Sequence, residues 1–131
     1  MAGYTKRNLN DEVDDSALKF GMSEVLEAHF ARDDLECTKL GISLQRLKPD
    51  ARMPFGHSHG EQEEVYVVVG GGGRAKLEDD VVELKQWDAL RVPKDTTRGF
   101  EAGPEGMEII AIGGPNTGPG DADMADDFWP G

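Results

Sequence analysis

The chain has 131 residues, enough for one domain with a single real core and too few for two comfortable ones. Its formal net charge of −12 and pI near 4.5 argue against a nucleic-acid backbone or an anionic membrane as partner, because either would be repelled over a Debye length of about 8 Å. The single cysteine, Cys37, cannot close a disulfide within the chain, no apolar run approaches the roughly 20 residues that span a bilayer, and the opening residues 1–7 lead into no export-type apolar stretch, so a cytoplasmic location is expected.

Residues 1–22 are polar and acidic, with Asn10-Asp11-Glu12 and Asp14-Asp15-Ser16 as punctuation, and are expected to form an irregular extension with at most a short turn of helix. Residues 23–32 suit a short helix or, better, an alternating strand with Leu26, Ala28 and Phe30 on one side and Val25, Glu27 and His29 on the other. His29 has no neighbour at ligand spacing and reads as a surface or partly buried histidine. Residues 35–47 alternate as one strand or two, ended by Pro49-Asp50.

The next segment holds two of the chain's three histidines, His57 and His59, one residue apart and just ahead of Glu63-Glu64 and an apolar run. In an extended strand both imidazoles lie on one face, about 7 Å apart along the backbone, close enough to reach one ion. A glutamate from the following strand, Glu63 or Glu64, would supply a hard oxygen ligand. Residues 64–69 are rich in Val and Tyr, Gly70 to Gly73 reads as a turn, and 74–78 resumes the alternation, which together predict a hairpin. The tetraglycine lacks the Gly-Lys-Ser/Thr ending of a phosphate loop. Further strands are expected over 81–85, 88–92 and 107–112, with Asp88 capping a turn. So many short strands with little helix between them predict a closed or double-layered antiparallel barrel. Beyond residue 113, a Gly/Pro segment and the acidic stretch before Phe128-Trp129-Pro130 read as coil, with the aromatics anchoring it on the barrel or on a partner subunit.

The spacing His57-x-His59, four residues, Glu64, six residues, Gly71 resembles the first motif of the cupin family of small β-barrels. Counting from Glu63 to Gly70 also fits that spacing; Glu64 is favoured, because in relatives with a Glu-Glu-Val-Tyr run the second glutamate usually takes that role. Asp50 or Ala51 stands where the family has a leading glycine. The family's second motif is matched in frame by residues 87–102, with Trp87 and Asp95 in place of its glycines, Ala102 in place of its asparagine, and Arg98 in place of its histidine ligand. An arginine stays cationic and offers no lone pair to a metal. The resemblance implies an all-β, double-stranded β-helix (jelly-roll) barrel over residues 23–113, with irregular extensions over 1–22 and 114–131.

It also implies a divalent transition metal, Fe, Mn, Ni or Zn, held by His57, His59 and Glu64. Two histidines and one carboxylate leave positions open for water, oxygen or a chelating substrate. Arg98 and Tyr66 are the expected substrate-binding residues, the guanidinium suiting a carboxylate or phosphate. Alternatively, Arg98 bridges to Glu63 or Glu64 and leaves the pocket metal-free. Two functions follow: a metal-dependent enzyme of oxygenase or isomerase type acting on a small anionic molecule, or a non-catalytic small-ligand-binding module with no or incidental metal. Family analogy adds a homodimer; no nucleic-acid or membrane partner is expected.

Overall fold

Short runs of alternating apolar and polar residues, broken by Gly, Asp and Pro, fold into eight strands, and two short 3₁₀ turns are the helical elements among the described residues. The structure is a computed structural model that describes residues 2–117 and 119–129; Met1, Gly118 of the Gly/Pro segment, and Pro130 and Gly131 of the tail lie outside the described residues. The strands are β1 (Leu26–Phe30), β2 (Gly41–Leu47), β3 (Phe55–His59), β4 (Glu63–Leu77), β5 (Asp80–Lys85), β6 (Ala89–Val92), β7 (Arg98–Gly114) and β8 (Ala122–Asp126). All pair antiparallel in one curled sheet. β7 is its spine: its C-terminal part pairs with β2 and its first residue with β3, while β4 runs along almost its whole length. β1 extends the sheet beyond β2, β8 extends it beyond β3, and β5 and β6 pair with the two ends of β4.

The inward residues close a core that includes Leu26, Leu47, Val68, Phe100, Met107 and Ile109. Each is almost fully buried, and such burial stabilises the fold by roughly 1.5–3 kcal/mol per large apolar side chain. The N-terminal extension is pinned to β1. Asp15 accepts hydrogen bonds from the backbone N–H of Ala17 and Ala28, and the buried His29 ring bonds through Nδ1 to the Val13 carbonyl oxygen at 2.7 Å.

Three sequence expectations change. The hairpin over residues 64–78 is one continuous 15-residue strand, β4, and the tetraglycine is not a turn. The register against β7 slips at Val68/Gly70 and at Gly71/Gly73, and these bulges bend the long pair around the core. Gly71 has φ +65°, and a Cβ there would run into the carbonyl oxygen of Gly106; a Cβ at Gly73 would run into that of Glu101. The last apolar strand, expected over 107–112, begins at Arg98, with Pro104 falling between the paired residues Ala102 and Met107. The tail, read as coil, contains β8, whose acidic sequence has little strand preference but whose backbone pairs with the edge of β3. Residues 35–36 complete a turn and 37–40 are irregular, so the expected segment 35–47 holds one strand.

Two non-glycine residues near the glycine positions that the resemblance implies adopt the backbone that glycine favours: Asp50, one of the two candidates for the first, has φ 60°, and Trp87 has φ 75°. Trp87 is exposed, and Asp88 beside it accepts the Lys85 N–H at 2.9 Å to close the turn before β6.

Candidate metal centre

β3 delivers both histidines to one face. Their ring centroids are 5.0 Å apart with the planes nearly perpendicular, so the two Nε2 atoms converge without stacking. β4 brings Glu64 to the same point: its Oε1 lies 3.5 Å from His57 Nε2 and 3.1 Å from His59 Nε2. One ligand atom from each of the three residues lies within 4.8 Å of the others. Glu63, one residue earlier and on the other face of the strand, is exposed and pairs with Arg91 at 3.4 Å. The alternation of β4 thus puts Glu64, and not Glu63, beside the two histidines.

Glu64 Oε1 has further partners. Tyr66, two residues on and on the same face, donates its hydroxyl at 2.6 Å. Arg98 opens β7 directly across from His57, so its side chain enters from the neighbouring strand. Its Nη2 donates to Glu64 Oε1 at 3.2 Å, its Nε to the Tyr66 hydroxyl oxygen at 3.2 Å and its Nη1 to the Thr96 carbonyl oxygen at 2.8 Å. Arg98 is 0% exposed, and of the alternatives that the sequence left open its nearest acid is Glu64. The nearby surface acid Glu101 is held instead by Arg52 and Arg74. Burial opposes ionisation of Glu64, but the bonds from His57, His59 and Tyr66 outweigh it and hold the carboxyl far below the usual range. Burial, together with the Glu64 charge, pushes the Tyr66 hydroxyl well above its ordinary value. Tyr66 is therefore a donor here.

The donor set itself tests whether a cation fits. His59 Nδ1 faces Asp121 Oδ2 at 3.2 Å, while Nε2 faces Glu64 Oε1. Both are acceptors, and a neutral imidazole carries one hydrogen. Either His59 is an imidazolium, or a cation stands between Nε2 and Glu64. The separations of 3.1 and 3.5 Å are those expected for two ligands about 2.0–2.1 Å from one ion at near-tetrahedral angles. His57, His59 and Glu64 therefore fit a divalent ion. His57, whose side chain is 25% exposed, is the most accessible of the three.

Sequence reasoning missed Asp121 and Gln62. Asp121 lies 62 residues from His59 in an acidic stretch with no motif spacing, and a single sequence carries no signal for it. Gln62 is buried, places its side-chain amide 3.5 Å from His59 Nε2 and accepts from Asn116 at 2.7 Å. Phe128 and Trp129, expected on the barrel or on a partner, pack on the chain's own barrel: Phe128 beneath Lys76 Nζ at 3.8 Å, Trp129 within 4.8 and 5.5 Å of the Arg52 and Arg74 guanidiniums. A separate open groove of about 520 Å³, lined in part by Leu40, Val65, Ile112 and Pro115, lies on the opposite face of β4 and contains none of the site residues. No helix among the described residues is long and apolar enough to cross a membrane.

No family model matches the sequence, and no curated protein matches it. Solved structures do. A cupin protein from Bacteroides fragilis is 24% identical with a TM-score of 0.71, over 91% of this chain and 90% of that one. KdgF from Halomonas sp. is 18% identical with a TM-score of 0.69, over 88% and 96%. The polyketide cyclase RemF from Streptomyces resistomycificus is 16% identical with a TM-score of 0.73, over 96% and 87%. At these identities the likeness speaks for the fold alone, and with the curled antiparallel sheet it establishes that the chain folds as a small cupin-type domain.

Proposed function

We propose that the protein is a metal-dependent enzyme, of oxygenase or isomerase type, acting on a small anionic organic molecule, with Fe, Mn, Ni or Zn held by His57, His59 and Glu64. The observation that carries this reading is the placement of His59 between two carboxylates, with His57 Nε2 converging on the same Glu64 oxygen. When bound, such an ion polarises a carbonyl or activates oxygen.

The chain's own residues do the rest. Tyr66 and Arg98 orient the Glu64 carboxylate by donating to it, and Arg98 balances its charge. With Arg98 and Glu64 cancelling and both imidazoles neutral, Asp121 offsets one charge of a divalent ion and leaves one positive charge. That surplus favours an anionic ligand. Arg98, fully buried and engaged at all three nitrogens, contributes to this preference through its field rather than by direct contact.

One observation favours a second reading, a non-catalytic ligand-binding module: Glu64 Oε1 is already bonded to Tyr66 and Arg98. Elemental analysis of untagged protein, purified without chelator or nickel resin, separates the two. Close to one metal per chain, lost in His57→Ala/His59→Ala, is the expected result and licenses oxygen-uptake assays with small organic acids. A wild type that holds no metal and takes up none of the four ions would leave the binding-module reading.

A further inference from the structure

The C-terminal segment reaches the site, and nothing in the barrel motifs accounts for it. A 3₁₀ turn, Pro119–Asp121, leads into β8, which lies antiparallel on β3 with Ala122 opposite His59 and Met124 opposite His57. The segment is held beyond the site. Phe128 fits against Gly56 and Gly99, where a Cβ would stand 2.6 and 3.2 Å from its ring, and Trp129 lies between Arg52 and Arg74. This anchored strap carries Asp121 into the bend between the two ligand-bearing strands. Gly60 leaves room for it, since a Cβ there would sit 2.9 Å from Asp121 Oδ1.

The Asp121 carboxylate is fully used. Oδ1 accepts the Glu61 N–H at 3.0 Å; Oδ2 accepts the Gln62 N–H at 3.1 Å and meets His59 Nδ1 at 3.2 Å. Its side chain is 9% exposed. The two backbone bonds alone would make Asp121 a cap for the β3–β4 bend. The third contact goes further, because a carboxylate can only accept, and a hydrogen must then sit on Nδ1. A histidine bonded in this way presents Nε2 to a metal in a fixed orientation and with raised basicity.

We propose that Asp121 is a positioning residue: from the C-terminal strap it holds His59 with Nδ1 protonated, so that Nε2 points at the Glu64 side of the site. The ion that Nε2 would meet, and with it a free Nε2 lone pair, rests on the function proposed above, but the hydrogen on Nδ1 does not. Alanine in its place removes the acceptor from Nδ1 and leaves the Glu64 carboxylate as the acceptor facing the ring. Asp121→Ala therefore moves the hydrogen to Nε2 and blocks the ligand lone pair.

The test is a long-range ¹H–¹⁵N spectrum of the full-length protein without metal, followed by Co(II) titration of the same samples. Wild-type His59 is expected to show a protonated Nδ1, and Asp121→Ala an unprotonated Nδ1 with Nε2–H. Co(II) affinity is expected to fall roughly 10- to 100-fold in the variant. A bare Nδ1 in the wild type would overturn the proposal whether or not the variant folds. So would a variant with a native amide spectrum and an unchanged ring, which would reduce Asp121 to a cap for the bend. A wild type with protonated Nδ1 that binds no Co(II) would uphold the positioning role and count against the metal-dependent function instead.

Discussion

Glu101 shows at the scale of one residue how charge is used away from the site. Burial pushes its carboxyl up, but hydrogen bonds from Arg74 at 2.6 Å and Arg52 at 2.7 Å outweigh it and hold the group below its ordinary value. A depressed value in the folded chain means that the pairing's contribution is fully present above the unfolded value of about 4.3 and is lost as pH falls through the folded one. Glu101→Gln is therefore expected to be less stable than wild type at pH 7, with the difference closing as pH is lowered from about 5. Urea titrations over that range check it, and a difference independent of pH would contradict the assignment. Glu64 differs in kind, since its carboxylate is held inside the barrel by donors from β4 and β7. His57, His59 and the choice of two glutamates were legible because ligands on neighbouring strands carry their spacing in the sequence. Asp121 was not legible, because its partner lies 62 residues away and only the path of the tail joins them.

Among the elements, β4 departs most from its sequence. Four consecutive glycines between two alternating segments have the local character of a turn, yet the backbone continues through them because pairing with β7 on one side and with β5 and β6 on the other overrides local preference. Their use is close approach, with Gly73 against the Glu101 carbonyl and Gly71 in the left-handed region against that of Gly106. Gly73→Ala puts a methyl group into backbone that cannot move without breaking the β4–β7 ladder. It is expected to destabilise the protein by about 2 kcal/mol or more, read as a lowered urea midpoint. An unchanged midpoint would mean that the ladder is looser than this packing implies. The early half of β7 was hidden for the same reason as the continuity of β4: Gly103, Pro104 and Gly106 lower its strand character, and the strand exists because β4 lies beside it.

For the whole molecule, the motif spacings carried the barrel and the centre of the site, whereas the strap that completes it lay beyond any motif. The strap joins distant parts of the chain: the Arg52, Arg74 and Glu101 cluster grips Trp129, β8 pairs with β3, and Asp121 reaches His59. Whether His57, His59 and Glu64 together hold one ion is read by anomalous diffraction at the metal edge, from crystals of protein loaded with Fe, Mn, Ni or Zn. A single strong peak within bonding distance of His57 Nε2, His59 Nε2 and Glu64 Oε1 is expected, whereas no peak there, with Glu64 still bonded to Arg98 and Tyr66 alone, would contradict a shared ion.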